Sequence, residues 1–171
     1  VSGLENYRAL LERVDEICRM TSERFGAEIV CRAGCDACCR HLSIFAVEAA
    51  ALNRALHQEP GDRSARILQR AAAAAPEDPC PLLEGGLCLL YQARPIICRT
   101  HGLPLLLTRD GKSEIDFCPE NFRGLESIPG SAVLDLERLN ATLATINALF
   151  LRSFPGPQRL TIAQALLRQP D

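Results

Sequence analysis

The chain has 171 residues, enough to bury a substantial core without disulfide support, and its 21 acidic and 19 basic residues leave it almost neutral. With charge of both signs mixed along its length, no Trp and two Tyr, it offers neither a phosphate-tracking surface nor stacking platforms, so nucleic acid is not an expected partner. Its apolar runs fall well short of the ~20 residues that a bilayer crossing needs, and its opening residues lack the pattern of a secretory leader; the expectation is a cytoplasmic protein with no membrane contact.

Apolar residues recur at Tyr7, Leu10, Leu11, Val14, Ile17 and Cys18, which predicts an amphipathic helix from Leu4 to about Phe25 that stops near Gly26. Cys18 lies in that stripe and reads as a small buried hydrophobe. The next stretch, Cys31-Arg32-Ala33-Gly34-Cys35-Asp36-Ala37-Cys38-Cys39, places four thiols within nine residues. Its Gly34 and Asp36 favour tight turns, and cysteines two or three residues apart in such a loop can converge on one ion. After a short extended exit at His41 to Phe45, helices are expected from Ala46 to His57 and from Asp62 to Ala75. Pro60-Gly61 stops the first, and Pro76 with Pro79 stops the second.

Cys80 to Cys88 predicts a hairpin turning at Gly85-Gly86, and Arg94 to Arg99 predicts a short helix with Pro95 in its first turn. Leu103 to Thr108 and Ser113 to Phe117 form a predicted β-hairpin, because Asp110-Gly111 suits a type I′ turn. Cys118 follows the second of these strands, so the hairpin can return a ligand to the other cysteines. A long helix from Asp135 to Phe154 carries Leu136, Leu139, Leu143, Ile146 and Phe150 on one stripe, a seam short enough to read as intramolecular core. A last short helix is expected from Thr161 to Arg168. With no internal repeat and no linker, the fold class is mainly α with a small β-hairpin. It is expected to be a single domain over residues 1–171, its helices packed around a cysteine-rich metal-binding centre at about 31–118.

Nine cysteines without an export signal point to a reducing compartment, where thiols serve as metal ligands or redox groups more often than as bridges. Setting Cys18 aside, the candidate ligands are Cys31, Cys35, Cys38, Cys39, Cys80, Cys88, Cys98 and Cys118. A structural zinc ion takes four such ligands and an iron-sulfur cluster is also commonly held by four, so eight fit two separate sites or one polynuclear site. The adjacent pair Cys38-Cys39 is expected to point apart and to serve different ions or the two sides of one cluster. Arg32, Arg40, Arg94 and Arg99 flank cysteines and are placed to offset thiolate charge. His101, three residues beyond Cys98, is a weaker ligand candidate, His41 is weaker again, and His57 is expected to be exposed.

Cys31-x3-Cys35-x2-Cys38 also has the spacing of the cluster loop in radical S-adenosylmethionine enzymes. Ala37 stands where those enzymes typically carry an aromatic residue, and the chain lacks the repeated strand and helix units of their barrel. No HExxH or deaminase motif supports hydrolytic zinc catalysis. Cys98 with His101 can be drawn as nucleophile and base, but seven neighbouring cysteines make ligation the simpler account.

Cys31-x3-Cys35-x2-Cys38-Cys39, then Cys80-Pro81 with Cys88, Tyr91, Arg94-Pro95 and Cys98-Arg99, and finally Cys118, together resemble the YkgJ-type cysteine-cluster proteins, also called the CxxCxxCC or zinc- or iron-chelating domain. The resemblance covers about Cys31 to Cys118. All eight family cysteines have a counterpart, Cys18 has none, and the first gap is one residue longer than the family's nickname. It implies metal ions as partners, zinc or iron as the bound metal, and chelation in a small bacterial protein, without supplying a reaction. The alternative is an iron-sulfur redox protein or enzyme.

Overall fold

The computed structural model describes residues 3–169. In chain order the elements are α1 (Glu5–Arg24), β1 (Ser43–Phe45), α2 (Ala46–Leu56), α3 (Gly61–Ala73), β2 (Leu83–Glu84), β3 (Leu87–Cys88), α4 (Ile96–Thr100), β4 (Leu105–Arg109), β5 (Lys112–Asp116), β6 (Leu134–Asp135), α5 (Leu136–Ser153), β7 (Arg159–Thr161) and α6 (Ile162–Leu167). Helices dominate and the sheets are small, as the apolar periodicity predicts.

The core is where the helical stripes meet. Leu4, Tyr7 and Val14 near or on α1, Val47, Leu52 and Leu56 on α2, Ile67 on α3, Leu139, Leu143 and Phe150 on α5, and Ile162 and Leu166 on α6 form one buried cluster. Their i, i+3, i+4 and i+7 spacings put each set on one face. Buried amides fasten the helix ends, whose backbone groups lack partners within the helix. Asn147 of α5 accepts the Val47 N–H at the start of α2 (3.0 Å) and donates to the Gln158 carbonyl (3.3 Å). Asn53 of α2 donates to the Ala165 carbonyl (3.1 Å) and the Arg168 carbonyl (2.8 Å) at the end of α6.

The expected hairpins are present. β4 and β5 pair antiparallel from Leu105↔Asp116 to Arg109↔Lys112, and Asp110 and Gly111 take φ 50° and 74°, the left-handed pair that a type I′ turn requires. β2 and β3 pair through Leu83↔Cys88 and Glu84↔Leu87 around Gly85-Gly86. Two further pairings go beyond the single small hairpin of the expected fold class. β1 pairs antiparallel with β7 through Ser43↔Thr161, and β6 runs parallel to β4 through Leu105↔Leu134. Strands of two or three residues are too short to show a period of two, so nothing in the residue pattern marks their partners. The second and third helices end one or two residues earlier than expected, at Leu56 and Ala73.

The cysteine-rich segments lie between these elements. The first joins α1 to β1, the second runs from the end of α3 through β2 and β3 to α4, and Cys118 follows β5.

Candidate metal centre

Residues 31–39 contain no regular secondary structure. Tight turns shape the loop from within, as Gly34 and Asp36 suggest: Cys35 N–H donates to the Arg32 carbonyl (3.0 Å), Cys39 N–H to Asp36 (2.8 Å), and Arg40 N–H to Cys38 (2.9 Å). The last of these spans only two residues and curls the chain at Cys39. Cys31, Cys35 and Cys38 are exposed, and Cys39 is half-buried.

One residue that periodicity does not reveal anchors the start of this loop. Asn121 is 1% exposed, and its side-chain oxygen accepts the Val30 N–H (3.0 Å). Its amide nitrogen donates to the Gly102 carbonyl (2.8 Å) and to Cys31 Sγ (3.4 Å). The Cys118 N–H donates to the same Gly102 carbonyl (3.4 Å), so Asn121 and Gly102 hold Cys31 and Cys118 side by side. Gly102 has φ 88°, and a Cβ there would lie 3.3 Å from Cys31 Sγ and 3.4 Å from Cys118 Cβ. Only glycine leaves that approach open. Phe122, buried with φ 59°, donates its N–H to the Glu28 carbonyl (2.8 Å) and packs edge-on against Phe25 and Phe117. These contacts fix the Cys118 turn against the end of α1.

The second group is built on firmer elements. Cys80 N–H donates to the Cys39 carbonyl (3.2 Å) beside an isolated bridge between Arg40 and Pro79, and Cys88 ends β3 opposite Leu83. Two arginines of α3, seven residues apart and so on one face, hold this hairpin by its carbonyls. Arg70 donates to Pro81 (2.8 Å) and Leu83, and Arg63 donates to Leu89. Cys98 lies on α4, whose first N–H at Ile96 donates to the buried carboxylate of Glu48 (3.0 Å). The other oxygen of Glu48 accepts Phe45 N–H (3.0 Å) at the start of α2. Burial pushes the Glu48 carboxyl above its ordinary value despite these two donors. At the other end of α4, Cys18 Sγ donates to the Arg99 carbonyl (3.6 Å), so the cysteine outside the candidate eight braces the helix that carries Cys98.

The thiols influence one another. Burial raises the Cys98 thiol to about 12, and the thiols that add to the rise are Cys80, Cys88 and Cys39. Burial also raises Cys80, to about 11, with Cys88 and Cys39 contributing. Cys38 is raised by burial and then by Cys39, Cys31 and Cys35. Cys39 is raised by burial and then by Cys88 and Cys35, so the influence runs without a break from the first cysteine loop to Cys98. Gly34 N–H donates to the Gly86 carbonyl (3.2 Å), which ties the first cysteine loop to the turn between β2 and β3.

Of the flanking arginines, Arg94 partly offsets the rise that burial imposes on the Cys88 and Cys98 thiols. It is held by its donation to the Cys98 carbonyl (3.3 Å) and by stacking on Tyr91 (3.6 Å to the ring centroid). Arg99 is instead engaged by Asp15 (2.7 Å) and by the carbonyls of Arg94 and Gln92. Arg32 and Arg40 are exposed. His41 has both ring nitrogens occupied, at the Ala75 carbonyl (3.0 Å) and the Ala163 N–H (3.2 Å), which gives it a structural position. His57 and His101 are exposed.

The donor set fits a thiolate-seeking ion. All nine cysteines are free thiols, and an amide N–H is already directed at Cys31 sulfur. Among the described residues, no three His, Cys, Asp or Glu side chains are arranged to hold an ion. No described helix is long and apolar enough to cross a membrane. A family model, CxxCxxCC, described as a "putative zinc- or iron-chelating domain", matches residues 30–119, just over half of the chain. No curated protein and no solved structure matches it.

Proposed function

The chain belongs to the CxxCxxCC family, and from that premise we propose that it chelates zinc or iron through Cys31, Cys35, Cys38, Cys39, Cys80, Cys88, Cys98 and Cys118. The observation that carries this reading is the match of a zinc- or iron-chelating family model to residues 30–119, the span that holds all eight of these free thiols. Thiolate is the ligand that selects zinc and iron-sulfur centres over hard cations. Bound metal supplies the positive charge that eight thiolates need; Arg94 supplies part of the remainder from beside Cys88 and Cys98.

Binding displaces the protons that burial holds on Cys80 and Cys98, so affinity falls as the pH is lowered. The free thiols suit a reducing, cytoplasmic setting, and the partners of the chain are metal ions. Its role is metal handling, structural support or redox chemistry. The exposure of Cys31, Cys35 and Cys38 favours one second reading, an iron-sulfur redox protein or enzyme whose cluster is reachable from solvent.

Elemental analysis and a visible spectrum of protein purified without oxygen test both readings. Bound metal with protected thiols is expected. A colourless zinc protein favours chelation alone, and visible absorption with iron favours the cluster. A folded protein that carries no metal, and takes up none when reduced and offered either ion, contradicts the proposal.

A further inference from the structure

The three-stranded sheet has the order β5-β4-β6, so β5 is its edge. All five of its residues, Lys112–Asp116, are exposed, and its register with β4 runs unbroken from Arg109↔Lys112 to Leu105↔Asp116. In a two-residue hairpin the pair that closes the turn exchanges both hydrogen bonds, and such pairs alternate along the ladder from there. The backbone groups of Lys112, Glu114 and Asp116 therefore face β4, and those of Ser113 and Ile115 face outward. Neither Ser113 nor Ile115 has another backbone partner among the described residues. The edge carries no proline and no bulge, two devices by which proteins stop a strand from being extended. On the same side of the sheet as Ser113, the Ile115 side chain is 43% exposed and borders a mostly apolar cleft of about 210 Å³.

What the edge does carry is charge, in an order that complements itself. We infer that β5 pairs antiparallel with β5 of a second copy of this chain, about a two-fold axis at Glu114, so that one sheet runs across both chains. This register sets Ser113 opposite Ile115 of the second copy at two places, and each outward N–H meets an outward carbonyl. It also sets Lys112 opposite Asp116 at both ends, and directly opposed residues of opposite charge attract. Lys112 makes no ion pair among the described residues, so its charge is available. The Glu114 carboxylates that meet at the axis are each paired with Arg109 of their own chain (3.0 Å), which offsets their repulsion. On the other face the two Ile115 side chains stand diagonally across from each other, within reach for long side chains. An axis at Ser113 would leave a single hydrogen-bonded pair within the strands, and an axis at Ile115 would set Glu114 against Asp116 twice. Hydrogen bonding and charge thus select the same register, which favours a second copy over an unrelated strand. The inference goes beyond the proposed chelation and does not depend on it.

The test is sedimentation velocity of the full chain over a range of concentrations, kept reduced so that no disulfide joins two copies. A reversible shift from the mass of one chain towards twice that mass is expected. Ser113→Pro removes an outward donor and leaves the ladder with β4 intact, so it should weaken association about tenfold or more. Lys112→Asp and Asp116→Lys should each weaken it about fivefold or more, because like charges then face each other at both ends. The double variant should restore it, which a mere loss of folding would not allow. Because proline can disturb a short hairpin, amide exchange is also followed on the unmodified chain. The N–H groups of Ser113 and Ile115 should exchange more slowly as the concentration rises, and exposed N–H groups away from β5 should not change. A chain that stays monomeric at every concentration overturns the inference and leaves the edge to solvent or to the strand of a different protein. A dimer whose affinity is unchanged by Ser113→Pro, or by either charge reversal, overturns it as well.

Discussion

Residues 31–38 and the segment from Cys80 to Thr100 carry the same reactive group on different supports. The earlier stretch is a succession of turns whose hydrogen bonds begin and end within it, apart from Gly34 to Gly86, and its shape is imposed at the entrance by Asn121. The later one is a hairpin and a helix whose carbonyls and first N–H are each taken by a side chain from α2 or α3. The difference shows that closeness in sequence and firmness of support are separate properties: the densest run of cysteines is the least supported. It also shows where substitutions should separate the two regions.

The largest effect is expected at Asn121. Asn121→Leu removes the acceptor of Val30 N–H and the donor to Gly102 and Cys31. With buried backbone groups left unpaired, a loss of about 3 kcal/mol in urea unfolding is expected. An unchanged urea midpoint would remove Asn121 as the anchor of the Cys31 loop.

Glu48→Gln attacks the other support. One of its two backbone donors, at Phe45 or Ile96, would then face an amide nitrogen instead of an oxygen, at a cost of about 2 kcal/mol. The pH dependence has a defined sign. Burial raises the Glu48 carboxyl in the folded chain, so its stabilising contribution is complete below the ordinary value of 4.5 and declines as the pH rises through the folded value. The deficit of the variant should therefore shrink from pH 4 to pH 7, measured as the difference between paired urea midpoints. A deficit that grows over that interval would mean that the two hydrogen bonds outweigh burial.

A smaller effect is expected at the contact between the regions. Gly86 has φ 77°, and a Cβ there would lie 3.0 Å from Gly34 Cα, whereas Gly85 has φ 57° and open space. Both alanine variants meet the left-handed penalty of about 1 kcal/mol, and Gly86→Ala should exceed Gly85→Ala by the cost of moving the Gly34 backbone. The smallest effect is assigned to Cys18→Ala, which loses one weak donor to Arg99 and should cost about 1 kcal/mol or less with metal content unchanged. Lost metal in that variant would move Cys18 into the ligand set.

Much of this arrangement is legible in the sequence because its causes are local. The stripe from Tyr7 to Cys18 gives α1, the residues Asp110-Gly111 give the β4–β5 turn, and Gly85-Gly86 gives the turn before Cys88. The surroundings of the thiols are not legible, because they depend on which backbone groups lie beside Cys31 and Cys98 after folding. Asn121, Glu48, Arg63 and Arg70 follow no apolar period, and each acts on residues far away in the chain. The pairing of β1 with β7 is hidden for the same reason.

The ring of His41 joins Ala75 to Ala163, the latter 122 positions further on, and β1 directly after it awaits β7. During synthesis, all eight candidate thiols therefore emerge from the ribosome before the strand and helix that pin the exit of their loop exist. Pairings between segments so distant form late, after the entropy of closing the intervening chain has been met. The nascent protein thus passes through an interval in which its sulfurs are open to solvent, oxidant and each other before the exit of their loop is pinned.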